Sequence, residues 1–363
     1  MDQAQTFEPR AVPSTLRLSR RIWDQLAAAE RAIGRVQGLA ASLADAGAAE
    51  HALFREAIAS CRRDGSRVRV LDLFRFQLDG AETVPIDRRG AARLAHNMTR
   101  CLAGSASASL EYSTDTLRNT HRTLYDGLHC EQPPGSLRTE TIWIGPPGST
   151  LAMATYVPPR PSHLPSLLRD LETFWRSDYA MPPLVRLALL HCQLECLHPF
   201  LSGSGYAVRT ILGVGMIREL GLQHPIPLTP SLKPTTEHFR EQRRVWLGED
   251  WESWIDYWSQ AVVTAAVREH ATLLERRLLW DRQRSSIEAE FKATRSVAFK
   301  VLQLLFRTPY VSVDAVAQAA ERTYANANQL VKRMQALGIV RELTGKQRGR
   351  RYGHDDLLKL IDI

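Results

Sequence analysis

The sequence predicts a mainly α-helical protein with a small β-hairpin and a C-terminal helix-turn-helix module. Apolar residues recur at helical spacing through much of the chain, and segments with the alternating pattern of a strand are few. No run of 18 uncharged apolar residues occurs, which argues against a membrane-spanning segment. With 363 residues, 44% hydrophobic and 24% charged, the chain is long enough for two or three globular domains.

The predicted elements of the N-terminal half are four helices and one hairpin. The helices are indicated by apolar residues on one stripe and cover residues 15–46, 53–60, 88–103 and 114–128. The second helix stops at Asp64-Gly65, which is a turn signal. Residues 140–157 differ, because two β-prone runs flank a Pro/Gly turn, and this pattern predicts a hairpin.

Three further helices are predicted over residues 162–176, 183–197 and 206–220. Another helical section is marked by four tryptophans, at positions 246, 251, 254 and 258. An aromatic stripe of this kind is more often core than a binding site. Residues 296–352 then combine a helix, a short extended link, two helices around a turn, a strand and a basic segment. That order resembles a winged helix-turn-helix.

The charge and cysteine content indicate the setting of the protein and a class of partner. A net charge of +8 favours a polyanionic partner, such as a nucleotide, a nucleic acid or an acidic protein surface. Five scattered cysteines are typical of reduced thiols in a cytosol. The first residues lack the basic and apolar pattern of a secretory signal. We therefore expect a cytoplasmic protein without membrane contact.

The segment after the helix at residues 183–197 has the composition of an anion-binding loop. It reads His198-Pro-Phe-Leu-Ser-Gly-Ser-Gly-Tyr-Ala-Val-Arg209. Its two glycines, Gly203 and Gly205, let backbone N–H groups converge on a phosphate, and the following helix N-terminus adds a favourable dipole. Arg209 lies one turn into that helix and can pair with a phosphate bidentately. His198 is suited to general-base catalysis near neutral pH.

This loop resembles the active-site loop of Fic-domain proteins, which usually reads His-x-Phe-x-(Asp/Glu)-Gly-Asn-Gly-(Arg/Lys)-x-x-Arg. The family's positions are kept by five residues, His198, Phe200, Gly203, Gly205 and Arg209. The acidic residue, the asparagine and the first basic residue are replaced by Ser202, Ser204 and Tyr206. In the family, the loop binds nucleotide phosphates and transfers a nucleoside monophosphate, most often AMP, to a protein hydroxyl.

The resemblance extends beyond the loop and covers most of residues 50–260. Ile142-Trp-Ile-Gly145 and Tyr156-Val-Pro-Pro159 match the hairpin flap that holds the target segment in the family. The resemblance implies a Fic-type helical domain with a small β-hairpin flap, followed by a winged helix-turn-helix module. Three parts are expected: an N-terminal helical region at 1–110 with an inhibitory helix, a Fic-like core at 111–285, and the winged module at 296–363.

The resemblance also implies a role for each site residue. His198 would be the general base, and Phe200 would pack beneath the loop. Phosphates of ATP or another nucleotide would be bound by Gly203, Ser204, Gly205 and Arg209. Ile144 and Tyr156 of the flap would hold a protein substrate.

The three replacements bear directly on activity. Ser202 is a poor Mg²⁺ ligand because this hard cation favours carboxylate oxygen, so bound Mg²⁺ is expected to be weak or absent. Ser204 retains a hydroxyl donor, whereas Tyr206 brings no positive charge. A single donor in such a site is worth about 3 kcal/mol, so losing a metal ligand and a cation lowers the rate by several orders of magnitude. The loop leaves open whether the protein is an active enzyme.

A second family element is the inhibitory helix, which often ends (Ser/Thr)-x-x-x-Glu-(Gly/Asn) and pairs its Glu with the second Arg of the loop. Ser60-Cys-Arg-Arg-Asp64-Gly65 falls in the matching place. Asp64 reaches one methylene less than Glu, so a looser or water-mediated contact with Arg209 is expected. The alternative is a helix that ends at a solvated turn.

Four neighbouring residues with metal-ligand side chains are His191, Cys192, Cys196 and His198. They would bind zinc only if their side chains converged tetrahedrally. Adjacent residues 191 and 192 point in different directions on a helix, and cysteine is commonly buried as a small hydrophobe. We therefore expect no metal site.

The C-terminal module is rich in side chains that can contact DNA. In or beside its second helix lie Arg322, Asn326, Asn328, Gln329, Lys332 and Arg333, and its wing carries Lys346, Arg348, Arg350 and Arg351. Such side chains reach base edges and phosphates from the major groove, so residues 322–352 make DNA a candidate partner. The alternative is a module used for domain packing or for a homodimer.

Three functions from different classes therefore remain. The first is a Fic-like protein adenylyltransferase whose divergent loop reduces or changes its activity. The second is a catalytically inactive Fic-fold regulator that senses nucleotide or binds DNA. The third is a module that captures a peptide by strand addition to the flap at residues 142–157.

Overall fold

Helices make up most of the computed structural model, which describes residues 9, 11–43, 47–104, 112–145, 148–177 and 180–362. Three features predicted from the sequence lie partly outside these residues. They are the end of the first helix at residues 44–46, the domain boundary at 110–111, and the two prolines of the flap turn at 146–147.

Five helices form the N-terminal part of the chain. They are α1 (Arg20–Ser42), α2 (Ala48–Arg63), α3 (Val70–Asp79), α4 (Arg89–Gly104) and α5 (Thr114–Leu124). The helix α1 begins later than predicted because Ser19 is extended. The helix α3 was not predicted, and its start is fixed by Asp72, whose carboxylate accepts a bond from the backbone N–H of Arg69 at 3.0 Å.

The predicted hairpin at residues 140–157 is reduced to one β-bridge between Ile144 and Tyr156. The N–H of Ile144 donates to the carbonyl of Tyr156 at 2.8 Å, and the N–H of Tyr156 donates back at 3.0 Å. Residues 151–153 form a turn of 3₁₀-helix, which ends the pairing. We refer to residues 142–157 as the flap.

The central part of the chain contains five more helices. They are α6 (Leu164–Arg176), α7 (Pro183–Leu197), α8 (Ser204–Glu219), α9 (Thr235–Gly248) and α10 (Trp251–Glu290). Nearly every residue of α7 is buried, and this helix lies at the centre of the core. The helix α10 packs along α1 and buries Trp254 and Trp258, so the aromatic stripe serves as core.

The C-terminal part combines four helices with a small antiparallel sheet. Its elements are α11 (Arg295–Arg307), β1 (Tyr310–Ser312), α12 (Val313–Ala320), α13 (Tyr324–Ala336), β2 (Arg341–Glu342), β3 (Arg351–Gly353) and α14 (Asp355–Ile361). The strand order is β1-β3-β2. The strand predicted from Gly338 begins three residues later, because Gly338 ends α13 with a positive φ of 71°. The winged helix-turn-helix interpretation stays a prediction.

The predicted fold class, mainly α-helical with a small sheet, is confirmed. Among the described helices, none is both long and apolar enough to cross a membrane. The C-terminal part also contacts the N-terminal helices, since Arg351 of β3 pairs with Asp79 at the end of α3 and Arg62 of α2 pairs with Asp362.

Candidate functional site

The loop between α7 and α8 has two residues with left-handed backbone conformations. His198 ends α7 with φ 42° and ψ 64°, which is a costly conformation for a residue with a side chain. Gly203 precedes α8 with φ 75°, and a Cβ there would clash with the ring and hydroxyl of Tyr125. Only glycine fits this position, so the loop geometry depends on it.

The hydrogen bond of His198 fixes which of its nitrogens can act as a base. Nδ1 lies 2.9 Å from the backbone carbonyl of Glu195, and because a carbonyl only accepts, Nδ1 carries the proton. Nε2 therefore keeps its lone pair. Burial lowers the pKa of His198 below its ordinary value, partly offset by the bond to Glu195. The imidazole is therefore neutral near pH 7, as a general base requires.

The side chain of Glu195 is held by residues of α7 and α9. Its carboxylate accepts from His238 Nε2 at 2.5 Å and from the Gln242 amide, and it lies 3.2 Å from His191 Nε2. Burial alone raises the pKa of the Glu195 carboxyl, but His238 and His191 hold it well below its ordinary value. The carboxylate is thus ionised, and it fixes the end of α7 that carries His198.

The His191, Glu195 and His238 side chains lie close enough to suggest a metal site. However, Trp258 donates its indole N–H to His191 Nδ1 at 3.1 Å, so the proton of the neutral ring is on Nε2, which faces Glu195. A metal would need the lone pair of that nitrogen. The Cys196 sulfur is also engaged, because it accepts a hydrogen bond from the Trp246 indole. This cluster is a hydrogen-bond network.

Arg209 is bound by the end of α2. Its Nε donates to the Ser60 hydroxyl at 2.6 Å, and its Nη2 donates to Asp64 at 2.8 Å. The structure thus brings together the two residues predicted to be inhibitory and the predicted phosphate-binding arginine. The contact of Asp64 is direct, although its shorter side chain suggested a water between the two groups.

The three replaced loop positions have different surroundings. The Ser204 hydroxyl accepts from the N–H of Phe200 at 2.9 Å and lies 3.0 Å from its carbonyl, so this side chain closes the loop and is not free to donate to a phosphate. The Ser202 hydroxyl lies 3.5 Å from Cys130 Sγ, outside the cavity lining. The Tyr206 ring stacks on the Arg209 guanidinium, whose Cζ is 5.2 Å from the ring centroid.

The loop borders a cavity of about 260 Å³ that we call the His198 cavity. Its lining includes His198, Gly203, Gly205, Arg209 and Ile144. This volume is at the small end for a ligand pocket. The described carboxylates that line it are Asp64 and Glu195, and both are already paired. The donor set therefore does not fit Mg²⁺, which favours free carboxylate oxygens.

The flap is fastened to α7 by the Tyr156 side chain. Its hydroxyl donates to the carbonyl of Cys196 at 2.6 Å, and its ring stacks on Trp246 at 4.1 Å. Because Tyr156 is buried, its side chain supports the flap and does not itself face a target. Ile144 is half-buried and lines the His198 cavity, which is where a target segment would lie.

Two positions that matter to the loop were not predicted from the sequence. Arg138 is 2% exposed and donates through Nε to the carbonyl of His198 at 2.7 Å. The same guanidinium binds the carbonyls of Glu140 and Pro159 on either side of the flap, at 3.1 and 2.5 Å. His121 stacks on the buried ring of Phe200 at 3.9 Å and donates to the carbonyl of Ser202 at 3.0 Å. No spacing marked either residue, since most of their partners lie 20 or more positions away in sequence.

The predicted DNA-contacting residues fall into two groups. Two of the arginines are engaged within the molecule, because Arg333 packs on Phe291 and donates to the carbonyl of Glu290, and Arg351 pairs with Asp79. Exposed polar and basic residues of this part are Arg322, Asn326, Gln329, Lys332, Lys346 and Arg348, with Asn328 and Arg350 half-buried. The exposed set extends along α13 and the loop between β2 and β3.

Comparison with known proteins identifies the region around the loop. Residues 111–214 match the Fic/DOC family. The chain is 28% identical over 111 residues to a protein adenylyltransferase, fic-1, of Caenorhabditis briggsae, a match that covers 30% of this chain and 20% of the relative.

Solved structures of Fic proteins share the fold. A Fic family protein from Desulfovibrio desulfuricans G20 superposes with a TM-score of 0.59 at 14% identity, over 96% of this chain and 98% of the other. Fic-1 (residues 134–508) from C. elegans superposes with a TM-score of 0.53 at 16% identity, over 70% of this chain and 74% of the other. Residues 111–214 are therefore similar to the Fic/DOC family, and this region contains the whole His198–Arg209 loop.

Proposed function

We propose that the chain transfers AMP, or another phosphate-bearing group of a nucleotide, to a hydroxyl of a protein substrate. The observation that carries this proposal is the placement of His198, whose Nδ1 is bonded to the Glu195 carbonyl, on the same cavity as Gly203, Gly205 and Arg209. A base with a free lone pair and a phosphate-binding loop on one cavity is the arrangement that nucleotidyl transfer requires. The name of the C. briggsae relative supports the same chemistry.

In the proposed reaction, Nε2 of His198 accepts the proton of the attacking hydroxyl. The hydroxyl oxygen forms a bond to the α-phosphorus of ATP, and the bond from that phosphorus to pyrophosphate breaks. Arg209 and the backbone N–H groups at the start of α8 bind the charge on the phosphates. In the structure, Asp64 forms an ion pair with Arg209, so we propose that this contact restrains the reaction.

The test is label transfer from ATP, using the Asp64→Ala variant to relieve the restraint. Label at the α-phosphate should appear on protein, and label at the γ-phosphate should not, because pyrophosphate leaves. His198→Ala in that background should abolish the transfer, whereas His129→Ala, which removes an exposed imidazole, should not. Transfer that survives His198→Ala, or α-phosphate label that never appears, would contradict the proposal.

A second candidate function is that of a DNA-binding regulator with no transfer chemistry. The exposed set along α13 and the loop between β2 and β3 favours it, because exposed cations attract phosphates. Fluorescence anisotropy with a DNA duplex tests this function. Lys332→Gln should weaken binding and lower its salt dependence, whereas anisotropy that does not change with protein concentration excludes it.

A further inference from the structure

A second cavity, of about 480 Å³, lies beside the last turns of α2, and we call it the arginine cavity. Four arginines line it: Arg55, Arg62, Arg63 and Arg268. Two of them have carboxylate partners, since Arg55 pairs with Glu269 and Arg62 pairs with Asp362. The cavity is therefore rich in positive charge, and its other two arginines decide what it can bind.

Arg63 and Arg268 have positive charges that the described residues do not neutralise by ion pairs. Arg63 donates to the carbonyl of Lys233 at 2.8 Å, and Arg268 donates to the carbonyl of Pro230 at 3.1 Å. Each guanidinium has five N–H groups, so most of its donors remain for another acceptor. Like charges that share a cavity repel one another, and a bound anion relieves this repulsion.

A helix N-terminus adds to the positive potential of this cavity. The helix α9 begins at this cavity with Thr235, and its N-cap residue, Pro234, provides no side-chain cap. The first N–H groups of a helix favour an anion.

We propose that the arginine cavity binds a small oligophosphate anion of about the size of pyrophosphate. The class of ligand follows from the two unneutralised guanidinium groups and the uncapped start of α9. The volume is within the range of pockets for small ligands. The arginine cavity shares only Arg63 and Thr235 with the His198 cavity, so this binding does not depend on transfer activity.

The experiment is isothermal titration of the full chain with pyrophosphate, at an ionic strength held constant with sodium chloride. Arg268→Gln removes a cation from the arginine cavity, and it is exposed, so the variant folds. The matched control is Arg240→Gln, which removes an exposed cation of α9 that does not line the cavity. A third variant, Arg209→Lys, alters the His198 cavity only.

Pyrophosphate should bind the wild type, and Arg268→Gln should weaken this binding about tenfold, the usual effect of losing one charge-assisted hydrogen bond. Arg240→Gln should bind as the wild type does, and Arg209→Lys, which perturbs the phosphate-binding loop, should retain the binding component that Arg268→Gln weakens. Equal affinity in the wild type and Arg268→Gln would overturn the proposal. Loss of binding in Arg209→Lys alone would also overturn it, because the anion would then lie at the loop. Parallel titrations with ATP measure binding at the proposed transfer site separately.

Discussion

Asp64 accepts a hydrogen bond from Arg209 Nη2 at 2.8 Å, although the two residues are 145 positions apart in the chain. The arginine is 4% exposed in its side chain and the aspartate is 39% exposed, so Asp64 is the partner that can move. The same guanidinium is the loop's candidate ligand for a nucleotide phosphate. A carboxylate and a phosphate thus compete for one cation, and this competition can be measured.

Asp64→Ala should strengthen ATP binding. Removing the carboxylate frees Arg209, and a partly exposed ion pair is worth up to about 1 kcal/mol, which corresponds to about fivefold in the dissociation constant. Isothermal titration with ATP measures this change. Asp64→Glu should bind ATP no better than the wild type, and Asp87→Ala, which removes an exposed carboxylate elsewhere, should have no effect. ATP affinity that is equal in all four proteins would mean that the contact is not a restraint.

Two of the three replaced positions of the loop should respond differently to reversal. Tyr206 lies on the His198 cavity and stacks on Arg209, so Tyr206→Arg adds a cation beside the phosphates and should raise ATP affinity about tenfold. Ser202 lies outside the cavity lining, next to Cys130, so Ser202→Asp alone should leave ATP affinity unchanged. A gain from Ser202→Asp that requires Mg²⁺ would show that the loop rearranges when nucleotide binds.

The sequence was most informative where local chemistry decides the structure. The α7 helix was predicted with its correct bounds, because an apolar run is enclosed by Pro182-Pro183 and the His198 loop. The loop itself was recognisable because glycines, a histidine and an arginine have fixed spacing. The flap was harder to predict, since its shape depends on the contact of Tyr156 with α7 rather than on strand propensity.

The remaining site residues could not be predicted because most of their partners are distant in sequence. Arg138 is an ordinary surface residue type, and nothing near it in sequence shows that it will be buried against four carbonyls. His238 is similar, because its role depends on Glu195, which lies 43 positions earlier. Such contacts follow from the packing of α7 and α9, which one sequence does not reveal.

Arg138→Lys should lower transfer activity while leaving ATP affinity unchanged. Lysine has one ammonium group and cannot reach the carbonyls of His198, Glu140 and Pro159 together, so the flap and the strained His198 lose their common support. We expect kcat to fall about tenfold or more and KM for the protein substrate to rise. Burial removes water from the Arg138 guanidinium and lowers its pKa to about 10. The control is Arg160→Lys at an exposed position, and equal kinetics for the two variants would exclude a positioning role.

His354 should make the stability of the protein fall in acid. It is fully buried, its Nδ1 accepts the N–H of Leu357 at 3.3 Å, and its Nε2 lies 2.9 Å from the Gln283 amide oxygen. The Nδ1 contact requires the neutral ring, because a protonated ring has no lone pair to accept the Leu357 N–H, and burial lowers the pKa of His354 to about 4. An unfolded histidine has a pKa of about 6.5, so between pH 6.5 and pH 4 the unfolded chain binds a proton that the folded chain does not.

The contribution of His354 is therefore fully present above about pH 6.5 and decreases as the pH falls towards 4, by about 3 kcal/mol in total. Denaturant unfolding of the wild type and His354→Asn, measured at pH 7.5, 6, 5 and 4.5, tests this expectation. Asparagine can still cap α14 but does not titrate, so the free energy of unfolding should depend less steeply on pH in the variant. Other histidines, including His198 and His238, also have lowered pKa values and leave a residual slope. Parallel curves for the two proteins would show that His354 is protonated as readily in the folded chain as in the unfolded one.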